Sequence, residues 1–583
     1  MRWSTSRHNC LEGARDAFAP PGRGKRWGES GRHTLIIVRD CLGAMSEFSR
    51  TVDEFLESYW EYHPTEATHV GVHEYDNQLP ATGAEAAAEW GETMATFTDR
   101  FEAFDGAELT QEEELDRRWA LAVLEKLRVD HEMRPWERSP RYYLDRLGNG
   151  LHDLLLGEVV SVEARFEALR ARLRAVPRYL ETARETLEPA DIPPIWVESA
   201  LGTTESLQRF MNEGIPDAAG EVPSMESDVV AASEEAASAV AGFEAFLRDV
   251  ESEAGGSFAV GRDRFDRLLG DYHRLEMDAD DLYEFGREWV EQYEAEMSEL
   301  AEQMDPGSDW VDVLDDVKDD YPEPAQLRQA YEDETMLARE HCLEEDLVTF
   351  PESEEVEIEW TPSYMRNWYP IAKPWTTAPF DEGLAGKWYV TPVDEDASPE
   401  AQEEHLRDHS WAWIRAIAQH EMYPGHHLHM AIQKEVATPL RKQFTSPIFV
   451  EGWGLYTEEL FYETGFLAEP ELRLMQLRNG LWRAVRILVD VGLHTRGMTP
   501  DEATELLVDR ARLEPGWART EVQRYTMRPT YPSSYRIGLS LIMDLREAYE
   551  ERLGDDYDRK EFHDELMEYS ILPVGMIAEE LLA

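Results

Sequence analysis

The segment His420-Glu421-Met422-Tyr423-Pro424-Gly425-His426-His427-Leu428-His429 gathers four of the chain's 17 histidines into ten residues. Neutral imidazole is the commonest side-chain ligand for transition metals, and a glutamate directly after a ligating histidine can act as base toward a water that the metal activates. The spacing is not the usual His-Glu-x-x-His. In that motif the second histidine lies about 40° round the helix and about 6 Å along it; here that position is Pro424. On an unbroken helix His426 is turned about 120° away and His427 stands roughly 10 Å up the axis. Neither could then share an ion whose nitrogen ligands sit about 2.0–2.1 Å from it. Joint ligation requires a distortion at Tyr423-Pro424-Gly425, where Pro424 removes the hydrogen bond to the His420 carbonyl. The expectation is a bulge or kink there. A further ligand is available in Glu451-Gly452-Trp453-Gly454-Leu455-Tyr456, which begins another helix 25 residues beyond His426. A downstream glutamate completes a two-histidine, one-carboxylate zinc site with an open position.

The elements that must carry these groups read as helices. Trp411–Ala418 is a hydrophobic helix able to take His420 into a core. Helical periodicity also runs over 87–104, 112–131, 162–187 and 282–304, and Thr499-Pro500-Asp501-Glu502 forms a capping box with proline at the first helical position. One stretch breaks the rhythm. Val356, Ile358 and Trp360 alternate with glutamates as in a half-buried strand, and after a Pro- and Trp-rich run a second strand-like segment, 387–390, follows. The fold class is therefore mainly α, with a small β hairpin or sheet set into the helical body.

Composition excludes several functions. With 57 Lys and Arg against 120 Asp and Glu the formal net charge is −63, so nucleic-acid binding and docking on an anionic membrane are not expected. No apolar run is long enough for a membrane span. The 18 Trp, 23 Tyr and 20 Phe argue against disorder. Lysine is scarce, eight residues against 49 arginines. A folded, carboxylate-coated, lysine-poor chain fits an extreme halophile, in which molar salt shortens the Debye length to about 3 Å. Three cysteines (Cys10, Cys41, Cys342) give no disulfide framework, and a reducing cytoplasm is the expected compartment. Residues 1–44 differ in carrying a net +4, and are read as a disordered or mis-called extension ahead of Met45.

Taken together, His420-Glu421-x-x-Pro-Gly-His426-His427-Leu resembles the HExxPGHH signature of the family called domain of unknown function 885. Glu451-Gly-Trp453-Gly-x-Tyr456 resembles its second element. Arg486-x-x-Val-Asp490-x-Gly492-x-His494, Glu521-x-x-Arg524-Tyr525 and Tyr535-x-x-Gly538 follow in the family's order. The resemblance implies a large helical fold similar to gluzincin peptidases such as thimet oligopeptidase and the Taq-type carboxypeptidases, with a deep channel floored by zinc. Residues 45–350 would form one channel wall and 351–583 the catalytic region, in one continuous fold. It also favours His426 over His427 as second ligand. Two departures stand out: His429 where the family usually has Gln, and Thr530-Tyr531 where it usually has Gly-Gln, close to the expected substrate pocket.

The function so implied is hydrolysis of short peptides, of carboxypeptidase or oligopeptidase type. His420, His426 and Glu451 would hold Zn²⁺ (Mn²⁺ or Co²⁺ being possible with the same ligands), and Glu421 would serve as general base. Tyr535, or else Tyr525, would be the neutral donor to the oxyanion. Arg524 and Arg536 are candidates to clamp a substrate carboxylate, with Tyr531 beside them. Asp490 and His494, four residues apart, could support the ligands from behind. His405 and His409 have the same spacing but sit among charges and are expected to be solvated. A metal-dependent amidase on a non-peptide substrate, or a helical binding protein with a relic site, are the alternative readings.

Overall fold

A computed structural model describes residues 45–583 except Glu158, Asn367, Trp368, Pro370 and Ser570. The reading of 1–44 as an extension lies outside the described residues. Leu56–Ala583 forms one compact unit, to which everything below belongs; the described residues 45–55 fall in another.

The fold is mainly helical. The periodic segments form Ala84–Glu102, Gln111–Glu132, Val162–Thr186 and Ala279–Met304, and the capping box at Thr499 is made in full. The elements nearest the histidines are α1 (Ala279–Met304), α2 (Leu327–Glu344), β1 (Glu355–Trp360), β2 (Ala372–Thr376), β3 (Ala385–Val390), α3 (Trp411–Glu421), α4 (His426–Val436), α5 (Pro447–Glu463), α6 (Pro470–Thr495), α7 (Pro515–Tyr525) and α8 (Ser534–Leu553). Among the described residues no helix is long and apolar enough to cross a membrane.

The strands do not form a hairpin. β1 pairs with β3 in parallel, Ile358 opposite Trp388, and β2 adds antiparallel on the other side of β3. A proline that reads as a breaker, Pro374, sits in β2, an edge strand of the three, where its missing N–H need not serve the ladder. Ile358 is buried, but Trp360 is exposed. Behind the sheet, Tyr331 of α2 packs edge-on against Trp388 and meets His409 at 2.8 Å. His409 is fully buried, and His405 bonds the Thr391 carbonyl at 3.2 Å. The expectation that both are solvated is thus wrong, because the sheet and α2 cover the segment that precedes α3.

Two contacts hold the helices of the site in place. Arg415 of α3 makes a two-pronged ion pair with Glu334 of α2, at 2.6 and 2.9 Å. α5 crosses α8 backbone to backbone at Gly452 and Gly538. A methyl on Gly538 would lie 2.0 Å from the Ile448 carbonyl oxygen, so nothing larger than glycine permits this approach.

Candidate metal centre

α3 ends at Glu421, and α4 begins afresh at His426. The expected bulge or kink is instead a full break. Met422–Gly425 forms a turn with a cis Tyr423–Pro424 peptide. Pro424 cannot donate the next helical bond, and the turn is pinned from outside: Trp453 Nε1 donates to the Pro424 carbonyl at 2.9 Å, and the Tyr423 hydroxyl donates to Glu354.

The break reorients the second histidine. His420 and His426 meet ring edge to ring face, centroids 4.8 Å apart. His426 Nε2 stands 3.6 Å from Glu451 Oε2 on α5. One donor atom from each of His420, His426 and Glu451 lies within 4.8 Å of the others. His427 points elsewhere, its Nε2 3.1 Å from Glu354, so the runner-up ligand is held away by a carboxylate ahead of β1. His429 is buried against Phe449.

Two of the three protonation states suit a cation. Burial, reinforced by the neighbouring His426 charge, pushes His420 down to about 3. Burial acts to raise Glu451, but its hydrogen bond to His426 and the two imidazole charges hold it down at about 2. Burial acts to lower His426, but its hydrogen bond to Glu451 and the charges of Glu421 and Glu451 raise it above the ordinary range. His420 and Glu451 thus rest in the forms that bind divalent metals, and His426 must release a proton to join them. Tetrahedral coordination at about 2.0–2.1 Å sets donors roughly 3.4 Å apart, so the set fits a zinc-type ion after closure on the order of 1 Å. Glu421, half-buried at the end of α3, acts electrostatically on both imidazoles.

Two supporting residues were not singled out from the sequence. Glu458 accepts from or shares a proton with His420 Nδ1 at 2.8 Å, leaving Nε2 as the imidazole's other donor. It lies seven residues after Glu451, nearly two turns along the same face of α5, and that spacing was its available signal. Burial raises its carboxyl to about 8. Carboxylates behind ligating histidines fix the ring and its tautomer. Glu458→Gln is therefore expected to weaken zinc binding about 10–100-fold with an unchanged helical signal, measurable by competition with a chromophoric chelator. Arg483 on α6 is the other. It is buried, and its charge acts on Glu458, Tyr535 and Glu451. With Asn479, Arg486, Asp490 and His494 it forms a polar stripe, recurring every three or four residues, on a helix that is buried almost throughout.

The remaining candidates divide. The Tyr531 hydroxyl donates to Glu451 Oε1 at 2.5 Å, which makes Tyr531 a direct part of the centre. Tyr535 is half-buried, close enough to feel the Glu451 charge, and desolvation lifts its phenol to about 12. Tyr525 is committed elsewhere: it donates to Glu521 at 2.6 Å and accepts from Arg486 at 2.6 Å. Asp490 takes hydrogen bonds from the Thr530 amide at 3.2 Å and the Ser533 hydroxyl at 2.6 Å, so it positions the turn that carries Tyr531 rather than a ligand. His494 bonds the Tyr525 carbonyl at 3.0 Å. The pair of arginines does not form the expected clamp. Arg524 is paired with Glu521, whereas Arg536 is buried with its guanidinium 3.3 Å above Trp289. Thr530, where glycine was expected from the resemblance, has φ +68°, and its hydroxyl meets His273 at 2.8 Å. A β-branched residue in that region carries strain of about 1–2 kcal/mol.

A cavity of about 640 Å³ adjoins this turn. None of His420, His426 and Glu451 lines it; Tyr531, which does, links it to Glu451.

Fold and site together define a mainly helical protein with a candidate mononuclear metal centre of two imidazoles and one carboxylate. The chain belongs to the family described as bacterial protein of unknown function (DUF885), matched over residues 64–581. Its fold is similar to that of a candidate lipoprotein of unknown function from Shewanella oneidensis, with TM-score 0.77 and 21% identity over 92% of this chain and 100% of that one. A candidate lipoprotein from Colwellia psychrerythraea gives TM-score 0.80 and 17% identity over 92% and 99%. At these identities the likeness is one of fold. No curated protein sequence matches.

Proposed function

We propose that this protein is a metal-dependent hydrolase of peptide or related amide bonds in short substrates. The observation carrying this reading is the convergence of His420, His426 and Glu451 within 4.8 Å across a helix break, with Glu421 at its edge. A divalent cation held by these three, Zn²⁺ first and Mn²⁺ or Co²⁺ with the same donors, would supply Lewis acidity toward a carbonyl and an attacking water. Glu421 would take the proton of the attacking water and return it to the leaving nitrogen. Glu458 keeps the His420 ring oriented, and Tyr531 does the same for Glu451. Burial keeps the phenol of Tyr535 protonated, so it can donate to a developing oxyanion, whereas the Tyr531 hydrogen is committed to Glu451.

Protein prepared with zinc present is expected to hold about one ion per chain and to cleave short peptides, with product masses reporting the bond cut. Chelation should abolish cleavage and zinc should restore it. Less than about 0.2 zinc per chain, with neither peptides nor amides cleaved, would sink the reading in favour of a binding protein.

We further propose that the acidic surface adapts the protein to a cytoplasm at molar salt. Far-UV circular dichroism is expected to show the full helical signal in about 1 M KCl, where the Debye length is about 3 Å, and to lose it below about 0.1 M, where that length reaches about 10 Å. A signal independent of salt would contradict this.

A further inference from the structure

The cavity beside Tyr531 is electrostatically unlike the rest of the molecule. In a chain of net charge −63, its lining holds five cations (Lys126, Arg141, Arg146, Arg524, Arg528) and two carboxylates (Asp130, Asp145), a net of +3. Its histidines do not alter this, since burial pushes His63, His131 and His273 below the ordinary range. Three of the cations have carboxylate partners: Lys126 with Asp130, Arg141 with Asp145, Arg524 with Glu521. Among the described residues Arg146 and Arg528 have none.

Arg146 is the more confined. Its guanidinium lies 3.5 Å above the Tyr142 ring, one nitrogen is 3.4 Å from His63 Nδ1, and Nη1 is buried without a hydrogen-bond partner. A desolvated cation left unpaired is costly, and a planar fork of donors is shaped for a carboxylate. The wall next to it is aromatic: His63 meets Trp90 edge-on at 5.4 Å, and Tyr62 stacks on Trp90 at 4.9 Å. A cation beside an aromatic wall matches a carboxylate one bond away from an apolar or aromatic side chain. The volume suits a ligand of a few residues, within the roughly 300–1,000 Å³ usual for small-molecule sites.

We propose that Arg146 binds the free α-carboxylate of a short substrate whose terminal side chain packs on the Tyr62–Trp90 wall. This makes the substrate class peptides or N-acyl amino acids with an open C-terminus. It rests on the hydrolase reading for what happens to the bound molecule, but not for the binding itself.

The test is calorimetric titration at molar salt with three probes: N-acetyl-phenylalanine, its amide, and N-acetylisoglutamine, whose only carboxylate is on the side chain. N-acetyl-phenylalanine is expected to bind at least about tenfold tighter than either of the others, with and without chelator. Arg146→Gln is expected to erase that preference while zinc content stays unchanged. Should Arg146→Gln fail to fold, Arg146→Lys keeps the charge without the fork and should lose about tenfold in affinity. Equal binding of acid and amide overturns the proposal, as does a preference that survives Arg146→Gln or disappears on chelation, which would place the carboxylate on the metal. Tight binding of N-acetylisoglutamine overturns it in favour of an acidic side chain. Absence of peptide cleavage would count against the hydrolase reading alone, because these titrations need no turnover.

Discussion

Glu421→Gln is expected to lower kcat for peptide cleavage by about 10²–10⁴-fold, the usual worth of a positioned general base, while leaving zinc content at the wild-type level. The two halves come from different observations. The donor atoms that converge belong to His420, His426 and Glu451, so an amide at position 421 would remove no donor from a bound ion. Glu421 nevertheless ends the helix that carries His420 and is coupled electrostatically to both imidazoles, the place a base must occupy to reach a water at the ion. Gln keeps the size and removes only the ability to accept and return a proton. Metal analysis and steady-state kinetics on one preparation read both halves. Activity within about threefold of wild type would remove Glu421 from the chemistry; lost zinc would make it a ligand instead of a base.

What the sequence discloses of this molecule follows how local each signal is. Helices announce themselves by periodicity and caps, which is why the segment beginning at Val162 and the capping box at Thr499 appear where expected. The sheet does not, because strand partners are chosen across long connections. Val356–Trp360 and Lys387–Val390 both look like strands in isolation, yet nothing within either says that they run parallel with a proline-bearing strand on the far side of one of them. The candidate centre divides in the same way. Residue type and spacing bring forward His420, Glu421, His426 and Glu451, and they also show that an unbroken helix would be incompatible with joint ligation. Glu458 and Arg483 escape notice because a charge on a helix ordinarily faces water. Here α5 and α6 are covered on nearly every side, so charges that would be solvated on a peripheral helix become internal partners of the site. Arg536 errs in the opposite direction: the sequence makes it a clamp, but a tryptophan on a helix some 250 residues earlier takes its guanidinium.

Gly425→Ala is expected to cost more stability than any other single change at the centre, at least about 4 kcal/mol, and with it zinc binding. A methyl built there falls 1.9 Å from the His420 carbonyl oxygen and 2.2 Å from that of Gln419. Both obstacles are backbone in the last turn of α3, so no rotamer relieves them; only unwinding that turn does, and the turn carries His420 and Glu421. Effects above about 4–5 kcal/mol are exceptional for one substitution and come from steric or burial failures of this kind. Gly454→Ala gives the contrast. There the added methyl meets ring atoms of His420 at 2.6 Å, a side chain that must shift against its bond to Glu458, while alanine is favoured over glycine inside a helix by about 1 kcal/mol. That variant should lose less of its thermal midpoint than Gly425→Ala yet lose zinc, because the ring it displaces is a proposed ligand. Thermal melts and zinc content of the two proteins separate the roles: the glycine at 425 permits the break itself, and the glycine at 454 leaves room for the His420 ring. A Gly425→Ala protein with wild-type midpoint and wild-type zinc would show that the two histidines do not depend on this turn to meet.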